Sequence, residues 1–252
     1  MTFKELYDNL SNKYPNSLKC EWDNDGIMCA SNLTSEVKNV LIALDVTMDT
    51  VNYAIENGYD TIISHHPLVF RSQRSLMPLS YTQNKLIKLI KNDINVMSFH
   101  TRLDASNPGV NDVLASLLGL ESIVEDANEK IGRVGTYPTE ISLEKFAQNV
   151  KAALNSPFVL FNGNKPVKKV YVVGGDGKDL IENAINCGAD TIITGRASYN
   201  TTIDANDMGI NIVEAGHFYT EKPVCKLIEN DVLSICPSIK TGIFNSNSIK
   251  AI

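Results

Sequence analysis

The sequence contains 252 residues, of which 43% are hydrophobic and 21% charged, so it can form one large globular domain or two smaller ones. The formal net charge of -6 argues against general binding to nucleic acid backbones, which requires clustered lysine and arginine. This balance still allows a local basic pocket for a phosphorylated small molecule.

The five cysteines are odd in number and include no C-x-x-C pair. They indicate free thiols in a reducing compartment and argue against a disulfide scaffold or a zinc ribbon. The charged, amphipathic first 14 residues are unlike a signal peptide, and no apolar run approaches the roughly 18 residues of a membrane span. We therefore expect a cytoplasmic protein that does not enter the membrane.

Short apolar runs bounded by polar residues predict buried parallel strands in both halves of the chain. These runs are residues 40–44, 61–64, 95–99, 170–173, 191–194 and 211–214. Helical spacing or capping signals predict helices between them, at residues 48–57, 110–118, 142–155, 179–186 and 224–230. Alternating strands and helices indicate a layered α/β fold, in which ligands collect at the carboxyl ends of the strands.

The chain contains an internal repeat. Residues 54–64 read AIENGYDTIIS and residues 184–194, which lie 130 positions later, read AINCGADTIIT, with seven of eleven positions identical. Each copy predicts a strand, a helix, a strand, a connection and a further strand. We therefore expect two similar α/β units related by duplication, residues 1–125 and 126–252, intertwined in one compact body with a site in the cleft between them.

All four histidines follow one of the predicted strands: His65, His66, His100 and His217. His100 is followed four residues later by Asp104, and His217 by Glu221. Imidazole and carboxylate ligands suit zinc, manganese or iron, and this set exceeds what one tetrahedral ion needs, so it predicts a pair of divalent ions. A single histidine at a strand end is more often structural, and the adjacent pair requires a bend, which Pro67 supplies.

Three further features allow two interpretations each. Residues 174–177, GGDG, could cradle a phosphate on their amides or form a tight strand-to-helix turn, and the turn is favoured. Trp22, the only tryptophan, could stack on a base or cover the edge of the core. Asp45 could lie near the metals or cap the following helix.

Several motifs together resemble the Ngg-one-interacting-factor-three-like family, whose members are often called GTP cyclohydrolase I type 2 homologues. The matching motifs are SHHPLVF at 64–70, HT-x-LD at 100–104, GH-x-x-TE at 216–221, WDN at 22–24 and GVND at 109–112. The resemblance covers nearly the full chain. It implies two similar α/β units, toroidal hexamers, and in some members hydrolytic opening of the imidazole ring of GTP.

Carried over by position, the resemblance implies a two-metal site at His65, His66, Asp104, His217 and Glu221. His100 would lie beside the metals as an acid–base or supporting residue. The sequence departs from the family pattern where Arg196 replaces an acid and Asn200 a histidine.

Two classes of function therefore stay open. The first is a metal-dependent hydrolase of a nucleotide or related heterocycle, in which Arg196 would favour an anionic or phosphorylated small-molecule substrate. The second is a non-catalytic metal-binding scaffold or metal-handling protein, which the changes at Arg196 and Asn200 would favour.

Overall fold

Two β-sheets and their flanking helices make up residues 1–250, the part of the chain that the structure, a computed structural model, describes. The helices are α1 Phe3–Lys13, α2 Met48–Glu56, α3 Tyr81–Lys91, α4 Thr101–Ala105, α5 Val110–Leu117, α6 Leu143–Leu154, α7 Ile181–Asn186, α8 Tyr199–Asp207, α9 His217–Glu221 and α10 Val224–Ile235. The strands are β1 Gly26–Cys29, β2 Asn39–Ala43, β3 Thr61–Ser64, β4 Asn95–Ser98, β5 Glu121–Glu125, β6 Arg133–Ile141, β7 Leu160–Asn162, β8 Val167–Asp176, β9 Thr191–Arg196, β10 Asn211–Glu214 and β11 Lys240–Phe244. The fold is thus of the mixed α/β class.

The chain divides into two compact units, but the boundaries between them differ from the expected one between residues 125 and 126. The first unit combines Met1–Leu103 with Cys225–Ser248, and the second contains Asp104–Val224. The first unit is discontinuous because β11, near the end of the chain, pairs in parallel with β2. The repeat did not reveal this return, since β11 has no counterpart among the repeated strands.

The sheet of the first unit has the order β1-β4-β3-β2-β11. Strands β2, β3 and β4 are parallel, with Val40 opposite Thr61 and Thr61 opposite Asn95. All four residues of β3 and of β4 are buried, as expected for central parallel strands covered on both faces. Their carboxyl ends lie at the same edge of the sheet, where His65 and His100 follow.

Helices α2 and α3 cover one face of this sheet. Val51 and Ala54 of α2 and Leu86 and Leu89 of α3 belong to the same buried cluster as Leu41 of β2. Helix α2 is capped by Thr47, whose hydroxyl accepts a hydrogen bond from the Thr50 amide at 3.0 Å. It ends before Gly58, which has φ of +69° as expected for a glycine at this position.

The sheet of the second unit has the order β5-β6-β8-β9-β10-β7, in which β8, β9 and β10 are parallel. Alternate residues of β8 belong to two different hydrophobic clusters. Val170 and Val172 pack with α5 and α6, whereas Tyr171 packs with α7 and α8. This alternation places helices on both faces of the sheet. Ser142 caps α6 through the Lys145 amide, as its sequence predicts.

Within residues 1–250, every helix is too short or too polar to cross a membrane.

The buried carboxylate of Asp126 connects β8 to the turn before β6. Tyr171 donates its hydroxyl proton to Asp126 at 2.8 Å, and the Asn128 amide donates to the same carboxylate at 2.9 Å. Burial raises the pKa of Asp126, but these hydrogen bonds outweigh it, so the pKa lies below its ordinary value. Because the folded pKa is depressed, the stabilisation is present above the ordinary pKa of about 4 and is lost as the pH falls through the folded pKa.

We expect Asp126→Asn to lower the free energy of unfolding by about 1–3 kcal/mol at pH 7, since a buried donor loses its charged acceptor. The difference from wild type should shrink as the pH falls below about 4. Denaturant unfolding at several pH values measures it, with the exposed neighbour Glu125→Gln as the control. A constant difference down to pH 2 would contradict the assignment.

Candidate metal centre

His65 and His66 occupy the bend that follows β3. The His66 amide donates to the Leu44 carbonyl at 2.9 Å, which continues the pairing with the chain beyond β2. The two ring centroids lie 4.9 Å apart, so the bend brings neighbouring side chains together that a regular strand would separate. His65 is fully buried and its Nδ1 lies 3.0 Å from the Phe99 carbonyl oxygen.

Asp45 holds the ring of His66. Its Oδ1 lies 2.7 Å from His66 Nδ1, and its Oδ2 accepts a hydrogen bond from the Ser246 hydroxyl at 3.1 Å. Since Thr47 caps α2, Asp45 is not the capping residue of that helix. Asp45 orients a candidate ligand instead.

His100 is held by two aspartates that lie in the loop directly before β1. Asp23 Oδ1 lies 2.9 Å from His100 Nδ1, and Asp23 Oδ2 accepts from the Thr101 amide and hydroxyl at 3.1 and 2.7 Å. Asp25 accepts from the His100 amide at 2.9 Å. Burial raises the pKa of Asp23, but the hydrogen bonds from His100 and Thr101 outweigh it and the pKa lies well below its usual range.

Asp25, which binds the His100 amide, also forms a buried ion pair with Arg102. Arg102 is 1% exposed, and its Nε lies 2.9 Å from Asp25 Oδ2. The guanidinium also donates to the Tyr14 carbonyl at 3.2 Å and lies 4.5 Å from the centroid of Phe99. The backbone of His100 is therefore fixed to the end of α1 through the charged pair.

These contacts determine which nitrogen of each ring can bind a cation. Carbonyl and carboxylate oxygens only accept hydrogen bonds, so Nδ1 of His65, His66 and His100 must carry the proton. The lone pair of each ring then lies on Nε2, and the same arrangement orients histidine ligands in metal proteins. One ligand atom from each of the three residues lies within 4.8 Å of the others. The donor set and the geometry of the first unit thus fit a divalent metal ion.

The second unit contributes an imidazole and a carboxylate from one short helix. His217 and Glu221 are the first and last residues of α9, and His217 Nε2 lies 2.9 Å from Glu221 Oε2. Glu221 is 5% exposed. A Cβ on Gly175 would lie 2.2 Å from Glu221 Oε1, so the absence of a side chain there makes room for the carboxylate. This pair also has the chemistry of a metal ligand set.

The remaining predicted site residues lie on other parts of the second unit. Asp104 is half-buried in α4 and is the first residue of that unit. Arg196 ends β9 and Asn200 lies in the first turn of α8, and both are exposed.

Residues 174–177 do not form the expected strand-to-helix turn, because β8 continues through Asp176. Three of their amides are also occupied. Gly174 donates to Asn111 at 2.7 Å, Gly175 to Thr220 at 3.2 Å and Gly177 to Thr194 at 2.9 Å. Because side-chain oxygens accept these protons, the glycines are not arranged to cradle a phosphate.

Trp22 lies beside the histidine cluster. Its ring centroid is 6.1 Å from that of His100 and 6.1 Å from that of Phe70, and the residue is 63% exposed. It therefore does not cover the edge of the core.

Sequence reasoning missed the roles of Asp23 and Asp25 in orienting His100, and it left the role of Asp45 open. The acidic pair at positions 23 and 25, in a polar loop beside the only tryptophan, was a visible signal. Their partner His100 lies far along the chain, so the sequence offered no direct link between them.

Comparison with known proteins agrees with this architecture. A curated relative from Clostridium acetobutylicum, named GTP cyclohydrolase 1 type 2 homolog, is 36% identical over 229 residues, covering 87% of this chain and 85% of its own. A relative of the same name from Clostridium perfringens is 34% identical, covering 89% of this chain and 88% of its own.

The crystal structure of the Staphylococcus aureus hypothetical protein SA1388 superposes with a TM-score of 0.90 at 30% identity, covering 100% of this chain and 99% of that protein. The family model described as Duf34/NIF3 (NGG1p interacting factor 3) matches residues 1–249. The chain therefore belongs to the Duf34/NIF3 family.

Proposed function

We propose that the chain binds two divalent metal ions and is a metal-dependent hydrolase of a nucleotide or related heterocycle. The ligands would be His65, His66, Asp104, His217 and Glu221. The observation that carries the proposal is the bend after β3, where Nδ1 of His65 and of His66 each donates to an oxygen, so that Nε2 is the atom of each ring that can coordinate an ion. Zinc, iron or manganese suits this donor set.

A pair of divalent ions supplies a nucleophilic water near neutral pH and a Lewis acid for the substrate. The residues of this chain then have separate roles. Asp45 and the Phe99 carbonyl orient the rings of His66 and His65. His100, oriented by Asp23, would accept and return a proton during hydrolysis, because an imidazole exchanges protons near neutral pH.

We also infer that the two units arose by duplication of one α/β unit. Strands β2, β3 and β4 have the same parallel order as β8, β9 and β10. Val40 is opposite Thr61 in one sheet and Val170 is opposite Thr191 in the other, at positions 130 residues apart. The repeated sequence thus carries the same register in both sheets.

Metal content is the first test. Protein purified without chelator should contain close to two equivalents of divalent metal by elemental analysis. His217→Ala should lower the affinity for at least one of the two ions about 10-fold or more, since it removes one ligand. Cys225→Ser is the control and should retain the metals, since no cysteine is assigned as a ligand. If wild-type protein still contains no metal after reconstitution with divalent metal, the proposal is refuted.

Turnover is the second test. In a screen of metal-loaded protein against nucleotides and cyclic amides, His100→Ala should retain both metals and lose turnover by about 10²–10⁴-fold, the usual contribution of a general acid or base. Turnover that survives complete metal removal would disprove the mechanism. If metal-loaded wild type hydrolyses none of the compounds, the non-catalytic metal-binding scaffold becomes the better interpretation, and the substitutions at Arg196 and Asn200 support it.

Self-association is the third test, and it rests on the family resemblance. We expect a closed homohexamer, since soluble homo-oligomers usually have closed symmetry. Light scattering at micromolar concentration should give six times the chain mass of 27.7 kDa. A mass equal to one chain would rule the hexamer out.

A further inference from the structure

A cavity of about 630 Å³ in the first unit lies directly beside His66. It is bordered by the segments that follow β2 and β3 and by the first turns of α3. Its volume lies within the range of about 300–1,000 Å³ that is usual for small-molecule sites. His66, which also belongs to the candidate metal centre, lines the cavity, so the cavity lies next to that centre.

The net charge of the side chains that line this cavity is positive, whereas the net charge of the whole chain is negative. Arg71 and Lys85 line it, and Asp45 is the only carboxylate among the lining residues. Both oxygens of Asp45 are engaged, one by His66 and one by Ser246. The cavity therefore presents an excess of positive charge, although the chain carries a net charge of -6.

Lys85 is held in the wall of the cavity. Its Nζ donates to the Val46 carbonyl at 2.7 Å and lies 5.3 Å from the ring centroid of Tyr81. Burial lowers the pKa of Lys85, and Asp45 acts in the opposite direction. An anion in the cavity would offset the cost of keeping this partly buried amine charged.

The cavity also has aromatic walls. Phe70 and Tyr81 line it and are 48% and 78% exposed, so their rings are accessible to a ligand. Exposed aromatic side chains beside cationic side chains suit a ligand with a flat ring and a negative group.

We propose that this cavity is the substrate-recognition site, in which Arg71 and Lys85 bind a phosphate or carboxylate group and Phe70 and Tyr81 contact an aromatic heterocycle. The proposal rests on the proposed function, because it places the reacting part of the substrate next to His66. It assigns anion recognition to Arg71 and Lys85, whereas the sequence alone suggested Arg196, which is an exposed residue of the second unit and does not line the cavity.

Calorimetric titration of the full-length, metal-loaded protein with GMP, guanosine and inorganic phosphate tests the proposal. Arg71→Glu and Lys85→Met should each weaken GMP binding at least 10-fold, since each removes a charge-assisted contact. Guanosine binding should change less than twofold, and inorganic phosphate should compete with GMP but not with guanosine. Arg71 is exposed, so its variant decides the question if Lys85→Met fails to fold.

Matched controls come from the same segments. Arg74→Glu changes an exposed arginine three residues after Arg71, and Lys91→Met changes an exposed lysine of α3. Neither residue lines the cavity, and both variants should bind GMP as wild type does. Arg196→Glu tests the competing assignment and should also leave GMP binding unchanged.

The proposal is overturned if wild type binds GMP no more tightly than guanosine, if Arg71→Glu binds GMP as wild type does, or if Arg196→Glu causes the loss instead. Metal content measured on the same samples separates it from the proposed function. Protein that binds GMP through Arg71 but holds no metal would refute the metal centre alone, and protein with two metals but no dependence on Arg71 would refute the cavity alone.

Discussion

Each of the three histidines in the first unit donates its Nδ1 proton to an oxygen of another residue in the same unit. For His65 the acceptor is the Phe99 carbonyl, for His66 it is Asp45, and for His100 it is Asp23. Rotation of any ring would cost this hydrogen bond in a largely buried setting. The proposed metal chemistry depends on this constraint, because it fixes the orientation of three rings whose ligand atoms, one from each residue, lie within 4.8 Å of one another.

The parallel strands explain why these rings meet. Strands β3 and β4 pair in register, Thr61 opposite Asn95, so the chain leaves both strands at the same edge and delivers His65 and His100 together. Behind them, the ion pair of Asp25 and Arg102 anchors the His100 backbone to the end of α1. A buried pair of this kind contributes little net stability but is costly to break on one side, which favours a role in positioning.

The sequence predicted the repeated strands and the positions of the histidines because both have local signals, namely short apolar runs and a histidine directly after several of them. The antiparallel strands β1, β5, β6 and β7 and the return of β11 were missed because they lie outside the repeat. The partners Asp23 and His100 are 77 residues apart, and no periodicity links them. The turn favoured for residues 174–177 is not formed, because β8 continues through Asp176. The phosphate alternative fails because the groups that occupy their amides, such as Asn111, lie 17 to 63 residues away and could not be identified from the local sequence.

The discontinuity of the first unit has a consequence for synthesis on the ribosome. Strand β2 is buried and apolar, yet its outer neighbour β11 begins only at Lys240. At about 5–20 residues per second, roughly 10–40 s pass between the emergence of the two strands. During that interval the whole of Asp104–Val224 has been made and can fold, while β2 presents an open edge to other nascent chains. Chaperone dependence and aggregation during expression should therefore originate in the first unit, which begins to be synthesised first and is completed last.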